Sequence, residues 1–325
     1  MHDQAVDEAG EASFPASDPP SLGGGSVGTD RPPGPSLRDP RTAGPRPPFP
    51  VAPNSPPGTP GEMKPVPDHG EATYHGRERL RDYRALITGG DSGIGRAVAI
   101  AFAREGADVV ISYLSEHEDA VDTAEYVRSA GRTAVLAPGD TGDAAACDAL
   151  VAHAVRELGG LDILVNNAAC QRVHEGLLDT PPEEIEEVFR TNILSQFWMC
   201  RAAVPHMAPG AAIINTTSIQ AYHPRPGLIH YASSRGAVTT FTKALAQDII
   251  GSHGIRVNGV APGPVWTPLV ASTFRDHLED FGANTPIGRP AQPAELAPLY
   301  VFLGSDESRY IIGEIIGATG GREIS

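Results

Sequence analysis

A tyrosine and an arginine stand four residues apart in Tyr231-Ala232-Ser233-Ser234-Arg235, a spacing that puts both on one face of a helix. A free phenol loses its proton near pH ~10, and a fixed positive charge beside it favours the phenolate. Such a pair can move a proton. Far upstream, Thr88-Gly89-Gly90-Asp91-Ser92-Gly93-Ile94-Gly95 joins a strand-like apolar run to a helix-like stretch. Glycines there allow a tight turn and let backbone N–H groups approach a pyrophosphate at the helix start, where the dipole favours negative charge. Each feature alone has an ordinary explanation: a glycine run as a turn, Tyr231 as a helix aromatic, Ser218 as a strand-end cap. Their occurrence together, in order along one chain, favours chemistry.

The elements that must position these residues can be read from the pattern of apolar runs. Strands are expected at 85–88, 108–113, 133–137, 161–165, 212–216, 255–260 and 314–318. Between them lie helix patterns at 94–104, 118–130, 144–158, 183 to about 206, and about 229–250. Strands apolar throughout, alternating with helices, describe a parallel sheet covered on both faces. Right-handed crossovers then give an α/β fold, a doubly wound parallel sheet of Rossmann type, as a single domain with a disordered N-terminal arm.

Several separated segments resemble the short-chain dehydrogenase/reductase family. They are TGGDSGIG at 88–95, Asn166-Asn167-Ala168-Ala169, Tyr231 thirteen residues after Ser218, and Pro262-Gly263 followed by Thr267. The resemblance covers about residues 83–321. It extends to a bacterial general-stress or aldehyde-reductase-like subgroup through Gly61-Glu62-Met63-Lys64-Pro65, ITGGDSGIGRAVAIAF and APGPVWTP. It implies hydride transfer between NAD or NADP and a small carbonyl or alcohol substrate. It also implies the roles: Thr88, Gly89, Asp91, Ser92, Gly93, Ile94 and Gly95 around the phosphates, with Tyr113 and Asp140 near the adenosine. Asn167 and Ala168 would border the cofactor, and Pro262, Gly263 and Thr267 would hold the carboxamide. Ser218 would orient the substrate oxygen, Tyr231 would act as general acid or base, and Asn192 would hold a water in a proton path. Arg235 departs from the family, which has lysine there. Arginine keeps the positive field, but its planar fork does not reproduce a compact ammonium. The chain has only two lysines, Lys64 and Lys243, among 25 basic residues, so a general drift to arginine accounts for the swap. The alternative is a dinucleotide-binding sensor or scaffold with weak or lost catalysis.

The choice between NAD and NADP stays open. A carboxylate ending the second strand would bind the ribose 2′-OH, and an arginine would accept a 2′-phosphate. Here Tyr113 and Leu114 stand there, with Glu116 beyond. The missing carboxylate permits NADP, while Asp91 and Glu116 oppose a phosphate.

Composition bounds the rest. Seventeen of the 31 prolines precede residue 70, in a stretch too poor in aliphatic residues to build a core. This sets residues 1–70 as a disordered arm and 71–325 as the NAD(P)-binding catalytic domain, with the arm dispensable up to about residue 55. The net charge of −15 argues against nucleic acid. No window is apolar enough for a membrane span, and nothing resembles a signal peptide. Cys147, Cys170 and Cys200 form no disulfide or zinc pattern, which points to a reducing cytoplasm. The 11 histidines show no ligand spacing, so no metal is expected. Family resemblance implies a homotetramer built partly on the Tyr231 helix. Cys170 is expected to border the pocket as a buried inert thiol, and His223, Arg225 and Trp266 to lie in substrate-side loops.

Overall fold

A computed structural model describes residues 37–50, 58–274 and 278–324. The aliphatic runs form seven strands: β1 (Arg84–Thr88), β2 (Asp108–Tyr113), β3 (Ala134–Pro138), β4 (Leu161–Asn166), β5 (Met207–Thr216), β6 (Arg256–Pro262) and β7 (Ile315–Ala318). All pair in parallel, in the order β3-β2-β1-β4-β5-β6-β7. The order reverses between β1 and β4, the position at which open α/β sheets leave a crevice beyond the carboxyl ends of their strands.

The described residues form eight α-helices: α1 (Gly93–Arg104), α2 (His117–Ser129), α3 (Ala144–Leu158), α4 (Pro182–Phe189), α5 (Ser195–Ala203), α6 (Ile229–His253), α7 (Pro268–Thr273) and α8 (Pro293–Gly304). One face of the sheet packs against α1, α2 and α8 through residues such as Ala97, Phe102, Ala120, Leu296 and Tyr300. The other packs against α3, α5 and α6 through Leu150, Met199, Val238 and Phe241. Central strands therefore bury both faces, which is why their sequence shows no polar alternation.

Two expectations change. The helix predicted from 183 to about 206 is α4 and α5 joined by a π turn at Arg190–Leu194, with Asn192 in that turn. Helix α8 was not anticipated, because Pro298 lies inside it and its run is apolar on nearly every side. It forms because its start suits a helix: Pro293 needs no N–H at the first turn, and Gln292 N donates to Glu295 Oε2 at 2.8 Å in a capping box.

The boundary at residue 70 also changes, since Asp39–Ser325 form one compact unit. Phe49 is buried and stacks on Trp266 with ring centroids 4.2 Å apart. Trp266 Nε1 donates to the Pro65 carbonyl at 2.8 Å, and Arg289 donates to the Pro40 carbonyl at 2.7 and 2.9 Å. A segment that cannot build its own core can still dock a few apolar anchors on an existing one, and prolines retain their carbonyl acceptors. Trp266 thus stands in a loop whose neighbours Val265 and Thr267 line the cleft, while its own side chain is buried in a small core cluster. The disorder expected for residues 1–36 and 51–57 lies outside the described residues.

Candidate active site

A cleft of about 380 Å³ opens at the carboxyl ends of the strands, beside the β1–β4 reversal. It gathers residues from Gly89 to Ser272. Gly89, Asp91, Ser92, Gly93 and Ile94 form one end, Tyr113 and Asp140 lie beside them, and Asn167 and Ala168 form part of the wall. Ser218, Tyr231 and Arg235 face the same space, with Pro262, Gly263 and Thr267 across from them. Thr88, Gly95 and Asn192 stand behind the lining and hold it.

The glycine loop is shaped by close approach. Gly89 and Gly93 have φ of +62° and +52°, in the left-handed region that favours glycine. A Cβ on Gly95 would lie 1.8 Å from the Gly89 carbonyl oxygen, so no side chain fits where α1 meets β1. Thr88 Oγ1 accepts from the backbone N–H of Asn167 at 2.9 Å and of Ala168 at 3.0 Å. Asn167 Nδ2 in turn donates to the carbonyls of Thr88 and Gly89, both at 3.2 Å. The loop after β4 is thereby tied to the glycine loop. Ser92, at the N-cap of α1, makes no side-chain cap, and its hydroxyl bonds the Asp91 side chain. The first N–H groups of α1 are left to a ligand, which fits a dinucleotide pyrophosphate.

At the other end, Tyr231 and Arg235 lie on successive turns of α6, with the guanidinium carbon 4.9 Å from the centre of the phenol ring. Arg235 is 1% exposed and donates from Nη1 to the Thr216 carbonyl at 3.0 Å. Ser218 caps a short turn after β5, its Oγ accepting from Gln220 N at 3.1 Å. Asn192 is fully buried. Its Oδ1 accepts from Cys170 N at 2.8 Å, and its Nδ2 donates to the Cys170 carbonyl at 2.9 Å and to Ser234 Oγ at 3.0 Å. Its side chain thus pins the loop after β4 to α6.

Burial governs the charges here. It pushes the Asp91 carboxyl up to about 6, with Glu116 and Asp119 adding to the rise. It also pushes the Cys170 thiol up to about 11 at the edge of the cleft, which makes it a poor nucleophile. Sequence reasoning missed Tyr300, whose OH meets Thr216 Oγ1 at 2.8 Å at the end of β5, two residues before Ser218. Its signal lay in α8, which went unread. Leu269 and Val270 of α7 also line the cleft and carried no motif.

A doubly wound sheet with a side-chain-free phosphate cradle, sharing one cleft with a tyrosine and a buried cation, defines an NAD(P)-dependent oxidoreductase. Residues 89–323 match the sequence family described as enoyl-(acyl carrier protein) reductase. The chain is 49% identical over 270 residues to the uncharacterized oxidoreductase YhdF of Bacillus subtilis (strain 168), covering 83% of this chain and 93% of that one. It is 47% identical to general stress protein 39 of the same organism (83% and 94%). It is 43% identical to glucose and ribitol dehydrogenase of Daucus carota (82% and 94%). Among solved structures, a short-chain dehydrogenase of Burkholderia cenocepacia J2315 in complex with NADP superimposes with a TM-score of 0.71 at 34% identity. That match covers 75% of this chain and 98% of the other. The chain belongs to the short-chain dehydrogenase/reductase family.

Proposed function

We propose that the enzyme transfers a hydride between NAD(P) and a small carbonyl or alcohol, with Tyr231 as general acid or base. The observation that carries this reading is that Ser218 and Tyr231 face one cleft with Arg235 against the phenol. The α1 end would take the pyrophosphate, Asp140 the adenine side, and Pro262, Gly263 and Thr267 the carboxamide. The bound nicotinamide supplies or accepts the hydride. Ser218 Oγ orients the carbonyl oxygen, Tyr231 gives its phenolic proton to the forming alkoxide, and Arg235 stabilises the phenolate that remains. A water in the proton path would use the Asn192 main chain or the second lone pair of Oδ1, because the rest of that side chain is engaged.

The name of the carrot relative suggests polyhydroxyl substrates alongside simple carbonyls. Oxidation of NADH and NADPH should therefore be followed with aldehydes, ketones and sugars, and reduction of NAD and NADP with polyols such as ribitol. Background rates throughout, with cofactor binding intact, would favour the sensor or scaffold reading. That second reading draws on Arg235, which spends one arm on the Thr216 carbonyl and leaves Nε buried without a partner. The same family reading makes the chain a cytoplasmic homotetramer. The tetramer is supported by Leu194, 42% exposed in the π turn, and Phe197, 50% exposed on α5 with its ring tilted against Phe241 of α6. No helix among the described residues is long and apolar enough to cross a membrane.

A further inference from the structure

Outside the cleft, three side chains from distant parts of the chain converge on one another. They are His174 in the loop after β4, Glu184 in the first turn of α4, and His230 in the first turn of α6. Their donor atoms all lie within 4.8 Å of one another. We propose that they form a binding site for a transition-metal dication of the zinc type. The site would tie the loop after β4 to the helix that carries Tyr231.

The backbone around the site is held closely. His174 N donates to the Gly227 carbonyl at 3.1 Å, and a Cβ on Gly227 would sit 2.9 Å from the His174 carbonyl oxygen. The two loops are thus clasped just ahead of His230. His174 Nε2 meets Glu184 Oε2 at 2.7 Å, and the two imidazole rings lie 5.8 Å apart and tilted by 45°. An ion pair beside a tilted ring accounts for His174 and Glu184. It does not account for His230, which is 4% exposed with both ring nitrogens lacking a hydrogen-bond partner. A buried imidazole with no partner is costly, and a metal ion supplies a partner for one of its two nitrogens.

The donor set suits the ion. Two imidazoles and a carboxylate are the ligands of open, three-residue zinc sites, whereas magnesium and calcium prefer oxygen alone. Bonds of about 2.0–2.1 Å place tetrahedral ligands about 3.4 Å apart, so the widest gap, at most 4.8 Å, closes by up to about 1.4 Å while His174 Nε2 and Glu184 Oε2, now 2.7 Å apart, part by about 0.7 Å. Arg172, on the same loop, is paired with Glu187 at 3.2 Å. His174 and Glu184 are partly exposed, giving an entry path and room for a water as fourth ligand.

Because Cys170, Gln171 and Arg172 of the same loop line the cleft, an ion here would fix a cleft wall relative to Tyr231. The test is titration of the full chain with Zn²⁺ by calorimetry, with Co²⁺ absorption reporting geometry. The expected result is one ion per chain at micromolar affinity, with intense tetrahedral Co²⁺ bands. His230→Gln and the partly exposed Glu184→Ala should each weaken binding by more than the roughly 10–100-fold of an outer-shell loss. Absence of binding to the wild type overturns the site without any variant. So does binding that both variants retain at full strength, since that marks adventitious surface histidines.

Discussion

Tyr231 and Arg235 are the residues on which the chemistry turns. Replacing Tyr231 with Phe removes the proton but keeps the ring against the guanidinium, so turnover should fall at least about 10²-fold with cofactor affinity little changed. Steady-state kinetics beside calorimetry separates the two. Arg235→Lys tests whether the pocket is adapted to the fork. The guanidinium bonds the Thr216 carbonyl and lies across the phenol, so lysine should leave at least one of those contacts unmade. If the ammonium still reaches the phenol, turnover should rise; if the pocket needs both contacts, it should fall. An unchanged rate in both variants would remove this pair from the mechanism. Asp91 carries a further consequence. Its folded pKa of about 6 exceeds the ordinary value of 3.8, so the native state holds the proton more tightly and stability declines as pH rises between those values. Asp91→Asn should therefore stabilise the protein at pH 7, by up to about 3 kcal/mol, and flatten that decline. It should also favour NADPH over NADH relative to the wild type, because a negative charge near the adenosine end is gone. Denaturant titrations at pH 4.5 and 7, with paired cofactor affinities, check both.

At the scale of elements, the junction of β1 and α1 is the least tolerant point. Gly95→Ala places a methyl carbon 1.8 Å from the Gly89 carbonyl oxygen, and Gly93→Val adds a branched side chain at φ +52° about 3.2 Å from Thr267. Both should abolish calorimetric binding of NADH and NADPH, and Gly93→Val should leave the fold intact by circular dichroism. Binding equal to the parent would mean that the dinucleotide lies elsewhere. This junction was legible in the sequence because glycine spacing, strand and helix all agree within twenty residues. Most strands were legible for a similar reason, since double burial leaves an unbroken aliphatic run. Other elements were not. The π turn at Arg190–Leu194 follows from side chains such as Asn192 bonding the loop after β4, a tertiary cause with no local pattern. Strand β5 begins at Met207, earlier than its aliphatic run at 212, through Ala208-Pro209-Gly210, which reads as a turn. The His174, Glu184 and His230 cluster shows the same limit: ligand spacing in sequence finds only sites built from neighbouring turns, and this one draws on three elements.

For the whole molecule, the question is how the chain ahead of β1 contributes to a domain that already has its own core. Part of the answer is a buried carboxylate. Burial pushes Glu105 upward, but bonds from Arg79, Tyr74 and the N–H groups of Arg77 and Arg79 outweigh it and leave the carboxyl at about 2. Its stabilisation is present above the ordinary value of 4.5 and is lost as pH falls toward about 2, where the Arg77–Arg79 segment should come free of α1. Loss of stability between pH 4.5 and 3 should be smaller in Glu105→Gln, which starts from a lower value at pH 7.

The docked residues 39–50 make the second contribution, and they separate two truncations that composition alone treats as equivalent. A chain beginning at residue 37 keeps Phe49 stacked on Trp266 and Pro40 bonded to Arg289. A chain beginning at residue 56 loses both. Emptying the Phe49 site resembles a large-to-small core substitution, for which about 3 kcal/mol is the lower end for phenylalanine. For a domain of this size that corresponds to a Tm lower by roughly 6–12 °C. The Arg289 guanidinium, 2% exposed in its side chain, would retain Glu295 as a partner but lose two bonds to Pro40, so the deficit should not fall below that range. Trp266 supplies a direct readout. It is one of two tryptophans, and its fluorescence should shift to longer wavelength once Phe49 no longer covers it. Equal Tm values and equal spectra for the two truncated chains would show that the docked segment contributes nothing and that the domain is complete from residue 56 onward.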